Sequence, residues 1–416
     1  MSHYKSYPTY KESGVQWIGA VPEHWEVKPI CRVSSCNDDV IPEFTPADEV
    51  LCYVDISAVN HTDGITQVTE VRFVDAPSRA RRKAKAGDVV VSTVRTYLKA
   101  VAAVTEEHAD CVYSTGFAVL RARIPHVEPA FLKWMMLNEL LIQTVEAHSE
   151  GLSYPAINAT ELVKLKTVVP PSGEQAAIIA ALDRETTHID ALIAKKSRFI
   201  ELLKERRQAL ITHAVTKGLN PNVKMKDSGV EWIGKVPEHW KVMLFKRVAS
   251  ICNGKDYKDV EDADGAYPVI GSGGEFARAS KFIFDGESVL LGRKGTIDKP
   301  LYINGPFWVV DTMFYTKVAD DAFPKFVYYS ALTIPFNLYS TNTALPSMTG
   351  EALSSHVIAA PEFDEQQGIA KGLDRETTRI DALITKVKHS IEILKERRSA
   401  LITAAVTGQI DLREVA

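Results

Sequence analysis

Two stretches of the chain carry apolar residues at three- and four-residue intervals, the spacing of one face of an α-helix. The apolar positions are Ile189, Leu192, Ile193, Phe199, Ile200, Leu203 and Leu210 in the first stretch and Ile380, Leu383, Ile384, Val387, Ile391, Leu394 and Leu401 in the second. Proline and acidic residues precede each stretch, and Gly218 and Gly408 follow. The pattern predicts one helix over residues 172–217 and another from residue 364. At ~1.5 Å per residue, each would be roughly 60 Å long.

The apolar stripe is narrow, about two positions in seven, as in a helix that pairs with one other helix. We therefore expect an intramolecular coiled coil. Duplicated units most simply relate by a two-fold axis, which favours antiparallel helices and neighbouring chain termini. The alternative is that each helix packs only on its own globular domain, which a similar stripe would also serve.

The two helical stretches are copies of each other. Residues 182–216 and 373–407 are identical at 26 of 35 positions. A shorter pair, ESGVQWIGAVPEHWEV at 12–27 and DSGVEWIGKVPEHWKV at 227–242, is identical at 12 of 16. The chain therefore runs short motif, variable block, helix, and then repeats that order. We call the repeated short motif and helix the frame. A duplicated frame around two unlike blocks suggests one scaffold that presents two different recognition domains.

The variable blocks, about 28–170 and 243–360, mix short β-type runs with glycine, proline and aspartate turns. The β-type runs are 88–93, 288–291 and 307–311, and the helix-like pieces are 129–141 and 324–332. These patterns predict α+β globules. We expect a first domain over 1–171, a helix over 172–217, a second domain over 218–363, and a helix with its tail over 364–416.

Composition narrows the class of protein. The chain has 416 residues, 45% hydrophobic, and no run near the roughly 18 apolar residues that a membrane span needs. The N-terminus is polar, and the five cysteines lack metal-site spacing, so we expect reduced thiols and a cytoplasmic protein. The net charge of −4 argues against coating nucleic acid with the whole surface, but not against local basic patches.

Several motifs together resemble a known family, the DNA specificity (S) subunit of type I restriction-modification systems. They are SGVxWIGxVPEHW before each variable block, Pro-x-x-x-Glu-Gln at the start of each helix, and Leu-Lys-Glu-Arg-Arg followed by Leu-Ile-Thr and Ala-Val-Thr at its end. The resemblance covers essentially the full length. It implies an α+β fold with two globular target recognition domains separated by two long antiparallel helices.

The resemblance also implies a function. In that family a non-catalytic subunit binds double-stranded DNA and reads a bipartite, asymmetric target, one half with each domain. It implies two modification subunits, which bind S-adenosylmethionine and methylate adenine, and restriction subunits that translocate and cut DNA. No cofactor is expected on this chain itself. Half-sites read from one face of the duplex would have centres roughly 34 Å apart.

Two other classes remain open, a self-contained DNA adenine methyltransferase and a coiled-coil scaffold without DNA affinity. The sequence contains no phosphate-binding loop, zinc signature or convincing catalytic triad. Asn304-Gly305-Pro306-Phe307 is only faintly similar to the catalytic Asn-Pro-Pro-Phe of adenine methyltransferases, because Gly305 interrupts it.

Basic and aromatic residues of the blocks are the candidates for DNA contact, since phosphates attract cations and arginine can bond guanine O6 and N7. The candidates are Arg79, Arg81, Arg82, Lys83, Lys85, Arg95, Tyr97 and Lys99 in the first block, and Arg293, Lys294, Thr296, Asp298, Lys299, Asn342 and Thr343 in the second. Asn342 and Thr343 belong to a polar loop that matches by position the stretch before Tyr154-Pro155. The alternative interpretation is that the basic clusters are an ordinary solvent-exposed surface and that the polar loops only connect elements.

Residues that are identical in both halves are expected to be framework, because readers of different bases would differ. We therefore assign Trp17, Trp25, Trp232 and Trp240, with His24 and His239, to core packing. Two arginine pairs on the helices are candidates for binding a partner protein or for pairing across the helices, with solvent exposure as the alternative. They are Arg206, Arg207, Arg397 and Arg398.

Overall fold

The computed structural model describes residues 4–341 and 346–413, and the chain forms two compact units. The first unit combines Met1–Lys195 with Ser390–Ala416, and the second is Lys196–His389. Each unit contains one variable block, one copy of the short motif, and parts of both long helices. The division at residues 171, 217 and 363 stays a prediction, because the boundaries of the compact units, after Lys195 and after His389, fall within the long helices.

The elements of the chain are numbered in sequence order. The helices are α1 (Ile30–Val33), α2 (Pro129–Met136), α3 (Glu139–Ala147), α4 (Ala159–Leu162), α5 (Ser172–Lys217), α6 (Pro324–Ala331), α7 (Gly350–Ser354) and α8 (Phe363–Val406). The strands up to residue 169 are β1 (Tyr10–Glu12), β2 (Ala20–Pro22), β3 (Glu26–Pro29), β4 (Ser34–Cys36), β5 (Asp39–Val40), β6 (Val50–Val54), β7 (Val59–Asn60), β8 (Gly64–Ile65), β9 (Thr69–Arg72), β10 (Ala80–Lys83), β11 (Val89–Ser92), β12 (Val101–Ala103), β13 (Val112–Ser114), β14 (Phe117–Ala122) and β15 (Lys166–Val169). The later strands are β16 (Met225–Asp227), β17 (Lys235–Pro237), β18 (Lys241–Leu244), β19 (Ala249–Asn253), β20 (Tyr267–Gly271), β21 (Gly274–Ala279), β22 (Phe284–Asp285), β23 (Ser288–Gly292), β24 (Leu301–Ile303), β25 (Pro306–Val309), β26 (Met313–Val318) and β27 (Val357–Ala360).

The α+β class and the two long helices are confirmed. Helix α5 has 46 residues and α8 has 44. Gly218 and Gly408 follow them with φ angles of 75° and 71°, the left-handed conformation that ends helices and that glycine adopts without strain. At Gly408 a Cβ atom would also lie 2.3 Å from Pro22, so only glycine fits.

Charged pairs show that the helices are antiparallel. In the first unit a guanidinium nitrogen of Arg398 lies 3.0 Å from the Asp190 carboxylate. In the second unit the corresponding distance from Arg207 to Asp381 is also 3.0 Å. Leu182 and Leu401 belong to one buried cluster of the first unit, and Ile211 and Ala370 belong to one of the second. Within each unit the position on α8 therefore falls as the position on α5 rises, as expected for an antiparallel pair. Two residues of the predicted apolar stripe, Phe199 and Leu383, are nevertheless exposed.

The chain termini of the first unit are neighbours, also as expected. Lys5 and Asp411 form an isolated antiparallel β-bridge. The hydroxyl of Tyr10 donates a hydrogen bond of 3.1 Å to the carbonyl of Gly408.

The variable blocks differ in sequence but share one sheet topology. The first has a sheet of order β12-β11-β14-β4, and the second has the matching order β24-β23-β26-β19. The other sheets match too, as β9-β6-β13-β10 with the additional edge strand β5, and as β21-β20-β25-β22. The inner pairs β6-β13 and β20-β25 are parallel. The duplication therefore includes the fold of the blocks as well as their frame.

The segment predicted as one helix over 129–141 is two helices. Helix α2 ends at Met136 and α3 begins at Glu139. Asn138 lies between them, and its side chain accepts a hydrogen bond of 3.0 Å from the backbone N–H of Leu140. A buried asparagine that caps a new helix explains the break.

The prediction that the shared aromatic residues form the framework is confirmed in part. Trp25 and Trp240 are fully buried. Trp17 is partly buried and packs against the core of the first unit, whereas Trp232 is 41% exposed and stacks on the buried His356, so neither is fully enclosed. His24 and His239 lie at the surface, so core packing is wrong for them, and their rings contact the carboxylates of Glu174 and Glu365.

Candidate nucleic-acid interface

In each unit a central, buried strand ends in a loop that carries predicted DNA-binding residues. Strand β11 leads into residues 93–99, and β23 leads into residues 293–299. We call these segments the exit loops. A second segment, the facing loop, lies against each of them and comprises residues 149–157 in the first unit and, among the described residues, 340–341 and 346–348 in the second.

Two similar backbone contacts join the two loops in each unit. In the first unit, Ile157 N donates to Thr93 O at 2.9 Å and Thr96 N donates to Pro155 O at 3.4 Å. In the second, Met348 N donates to Arg293 O at 2.9 Å and Gly295 N donates to Pro346 O at 3.0 Å. The described parts of the loops matched by position in the sequence therefore make corresponding contacts with the exit loops, although their side chains differ.

The first exit loop has an unusual backbone. Arg95 and Lys99 adopt φ angles of 51° and 50°, which residues with side chains rarely do. The guanidinium of Arg95 lies over the ring of Tyr154, 5.3 Å from its centroid. Tyr97, which lies between Arg95 and Lys99 in the sequence, is exposed. Uncommon backbone conformations held in place by their surroundings cluster at functional sites.

Lys99 is engaged inside the unit. Its amine lies 2.6 Å from the carboxylate of Glu139 and donates a hydrogen bond to it. Burial alone would raise the pKa of Glu139, but the hydrogen bonds from Lys99 and Gln143 outweigh burial and lower that pKa. A lysine paired in this way is a weaker candidate for a phosphate contact than its exposed neighbours.

The basic cluster of 79–85 lies on and beside β10, in the other sheet, and only one end approaches the exit loop. The carbonyl of Arg79 accepts from Thr115 N, and the next residue, Gly116, accepts from Thr93 N at the start of the loop. Lys85 lies at the opposite end of β11, because its backbone N–H bonds the side chain of Asp88. The structure thus brings Arg79, but not Lys85, to the exit loop.

The side chains of this cluster have different surroundings. Arg79 donates a hydrogen bond of 2.9 Å to Asp55. Arg81 lies over the Phe73 ring at 5.1 Å. Among the described residues, the buried Nε of Arg82 has no hydrogen-bond partner.

Lysines complete the cluster. Lys83 is exposed. The Lys85 amine is 3.9 Å from an Asp39 carboxylate oxygen.

The second exit loop is a tight turn. At Gly292 a Cβ atom would lie 2.5 Å from the carbonyl oxygen of Thr296, so only glycine lets the chain fold back there. Arg293 donates to the carbonyl of Asp311 at 3.2 Å and lies half-buried over Phe314. The other predicted residues of the loop are exposed, namely Lys294, Thr296, Asp298 and Lys299. Asn342 and Thr343 lie outside the described residues.

The first facing loop also presents two exposed apolar residues that the sequence reasoning missed. They are Leu152 and Tyr154. Leu152 is neither basic nor aromatic, and Tyr154 lies outside the basic clusters from which the candidates were taken. Their position before Pro155, in the loop matched to 340–343, was the available signal.

The helix arginines divide into two kinds. Arg207 and Arg398 are half-buried and face carboxylates of the other helix within their own units. Arg206 and Arg397 are exposed. Arg397 lines a cleft of about 440 Å³ in the first unit, with Arg184, His188, Ile189 and Leu394 among the other lining residues.

Within residues 4–341 and 346–413, no helix is long and apolar enough to cross a membrane. The same part of the chain contains no cluster of three or more His, Cys, Asp or Glu side chains arranged to hold a metal ion.

Comparisons with known proteins identify the relatives of this chain. Residues 237–393 match the family model described as the type I restriction modification DNA specificity domain. The chain is 22% identical to the putative type I restriction enzyme MjaX specificity subunit of Methanocaldococcus jannaschii, over 97% of this chain and 98% of that one. It is 21% identical to the type I restriction enzyme EcoKI specificity subunit of Escherichia coli, over 94% of this chain and 90% of the relative.

Solved structures share the fold. A chain from a structural study of assembly and conformational transition in the type I R-M system has a TM-score of 0.74 at 20% identity, covering 93% of this chain and 98% of that one. The HsdS subunit from Thermoanaerobacter tengcongensis has a TM-score of 0.52 at 20% identity, covering 96% and 100%. Residues 237–393 therefore resemble the type I restriction modification DNA specificity domain, and nearly the whole chain is similar to type I restriction enzyme specificity subunits, which confirms the resemblance seen in its sequence.

Proposed function

We propose that this chain is the DNA-reading specificity subunit of a type I restriction-modification complex. The observation that carries the proposal is the pair of equivalent exit and facing loops, built on one topology but lined with different side chains. Such a pair suits two readers of unlike sequences. Each unit reads one half of a bipartite, asymmetric target in double-stranded DNA.

The loop residues divide into base-reading and backbone-binding groups. Arg95 and Arg293 read bases, because arginine can bond guanine bidentately and both lie on the exit loops. The exposed cations Lys83, Lys294 and Lys299 bind phosphates, with Arg81 and Arg82 beside the first of them. Thr296, Asp298 and Tyr97 complete the polar and aromatic surface of the two loops.

Other candidates have supporting positions. Arg79 and Lys99 hold carboxylates of their own unit and position the first exit loop. Lys85 lies away from that loop, so it contributes general attraction for DNA. Asn342 and Thr343 remain candidate base contacts on sequence position alone.

The subunit contributes specificity and no chemistry of its own. Methyl transfer to adenine requires S-adenosylmethionine, which is held by two modification subunits, and restriction subunits join the same complex in the cytoplasm. The exposed Arg206 and Arg397 dock partner subunits. Arg207 and Arg398 hold the two helices together instead, because carboxylates of the other helix already engage them.

Selection from randomised duplexes tests this function. The purified full chain, alone and with its methyltransferase subunits, is incubated with DNA carrying a long random segment, and bound duplexes are sequenced. The expected result is two conserved blocks separated by a spacer of fixed length, with affinity that falls as salt rises. Binding without sequence preference would contradict the proposal. Tight binding of S-adenosylmethionine to the chain alone would favour a self-contained methyltransferase instead.

A further inference from the structure

The tip of the first facing loop exposes two large apolar side chains within three residues. Leu152 is fully exposed, and Tyr154 is 68% exposed. Single exposed apolar residues are normal on a protein surface. Two such residues at the tip of one loop, beside predicted DNA-binding residues, indicate a binding surface.

The tip is braced from both sides. Glu150 and Ala156 exchange two backbone hydrogen bonds of 2.9 Å, which close the loop at its base. Ala156 also forms a β-bridge with Val94 of the exit loop. Gly151 has a φ angle of 108°, a conformation that turns the chain sharply at the tip. The backbone therefore holds the residues between these contacts away from the body of the unit.

A side-chain contact between the loops adds to this bracing. The hydroxyl of Thr96 donates a hydrogen bond of 2.8 Å to that of Ser149. The exit loop and the facing loop are thus joined through side chains as well as backbone.

A cation adjoins the apolar tip. Arg95 packs over the face of Tyr154 and fixes the orientation of the ring. Tyr97 is exposed on the same exit loop. An apolar surface flanked by an arginine suits DNA, because a guanine edge accepts hydrogen bonds from a guanidinium while other base edges offer apolar groups such as the thymine methyl. A purely apolar protein partner would leave the arginine without a counter-charge.

We propose that Leu152 and Tyr154 contact bases of the first half-site directly, through apolar contacts, with Arg95 positioning the Tyr154 ring. The inference rests on the proposed function and assigns two specificity-determining residues to it. The corresponding stretch of the second block, Ser340 to Thr343, is polar in sequence. The two readers therefore use different chemistry at equivalent loops.

Binding measurements on the full chain in its methyltransferase complex test this inference. Affinity for the selected target is compared with affinity for a duplex scrambled in the first half-site, using Leu152→Ala, Tyr154→Ala and Tyr154→Phe. Ile124→Ala is the matched control, because Ile124 is 71% exposed in the same unit but lies outside both loops.

The expected result is a loss of about tenfold in affinity for the target with Leu152→Ala and with Tyr154→Ala. Tyr154→Phe and Ile124→Ala stay close to the parent. The slope of affinity against salt is unchanged, because no phosphate contact is removed. Preference in the second half-site is also unchanged.

Three outcomes would overturn the inference. Leu152→Ala and Tyr154→Ala could behave like the Ile124 control, they could lose equal affinity on scrambled DNA, or they could weaken assembly with the methyltransferase subunits at unchanged DNA affinity. The last outcome would reassign the tip to a protein contact. Failure of the parent complex to select any target would instead remove the proposed function, so the two failures are distinguishable.

Discussion

The indole nitrogen of Trp25 donates a hydrogen bond of 2.9 Å to the carboxylate of Glu174. Trp25 closes the short repeated motif and Glu174 lies in the first turn of α5, so this bond joins the two repeated parts of the frame. Trp240 donates to Glu365 in the same way, at 3.2 Å. His24 and His239 contact the same two carboxylates. The repeated sequence thus encodes a repeated junction.

Glu174→Ala should destabilise the first unit by about 3 kcal/mol, because it leaves the buried Trp25 N–H without its acceptor and removes a helix N-terminal carboxylate. Urea unfolding followed by tryptophan fluorescence measures the change. Glu23→Ala, which removes an exposed neighbouring carboxylate, is the control and should have little effect. Equal stability of the Glu174→Ala and Glu23→Ala variants would show that the junction contributes nothing.

Arg121→Ala should cost about 3 kcal/mol of stability in the first unit. Arg121 donates three hydrogen bonds to Asp88, and its removal leaves a buried carboxylate without a cation. Those bonds hold the pKa of Arg121 above its usual value. Arg123→Ala, at an exposed arginine two residues later, is the matched control for chemical denaturation. A loss no larger than the control's would contradict the account.

The second unit should lose stability in mild acid through His356. Burial lowers the pKa of this imidazole to about 4. Between the ordinary value of about 6.5 and 4, the unfolded chain binds a proton that the folded chain refuses, so stability falls as the pH falls. From pH 7 to pH 5 the contribution is about 2 kcal/mol.

His356→Leu should remove that part of the pH dependence. Leu165 occupies the equivalent place in the first unit, since Ile30 N bonds its carbonyl just as Phe245 N bonds that of His356. Unfolding of the parent and of the variant at pH 7 and pH 5 measures the effect. If the free energy of unfolding changes between pH 7 and pH 5 by the same amount in the variant as in the parent, another group is responsible for the pH dependence.

Much of the frame could be predicted from the sequence because its signals are local. The prolines and glycines that bound α5 and α8 mark the helix ends without reference to the rest of the fold. The break at Asn138 was missed because the cap depends on a buried side chain. The exposure of Trp232 was missed because identical residues in the two repeats need not be equally covered.

The candidate interface depends on contacts that are distant in sequence. The association of the exit and facing loops brings residue 93 against residue 157 and residue 293 against residue 348. The register of strand β10 in its sheet places Arg79 near the first exit loop and Lys85 away from it. Neither relationship follows from residue spacing. The basic and aromatic candidates chosen from the sequence also leave out an aliphatic residue such as Leu152.

The four helix arginines should differ in their effects on partner binding and on stability. Arg206→Ala and Arg397→Ala should weaken association with the methyltransferase subunits by several fold at unchanged stability, since both side chains are exposed. Arg207→Ala and Arg398→Ala should instead lower stability, by about 1 kcal/mol or less because their partners are half exposed. Calorimetric titration and thermal unfolding of the same four variants measure both effects. Stable Arg206 and Arg397 variants with full affinity would reassign these side chains to solvent.

Mapping methylated adenines in cells that carry the complex with Arg95→Ala or Arg293→Ala tests the division of reading between the two units most directly. The account predicts a bipartite parent motif, with the Arg95 variant relaxing base preference in one half only and the Arg293 variant relaxing it in the other half only. Relaxation of both halves by either variant, or an even loss of methylation at an unchanged motif, would contradict it.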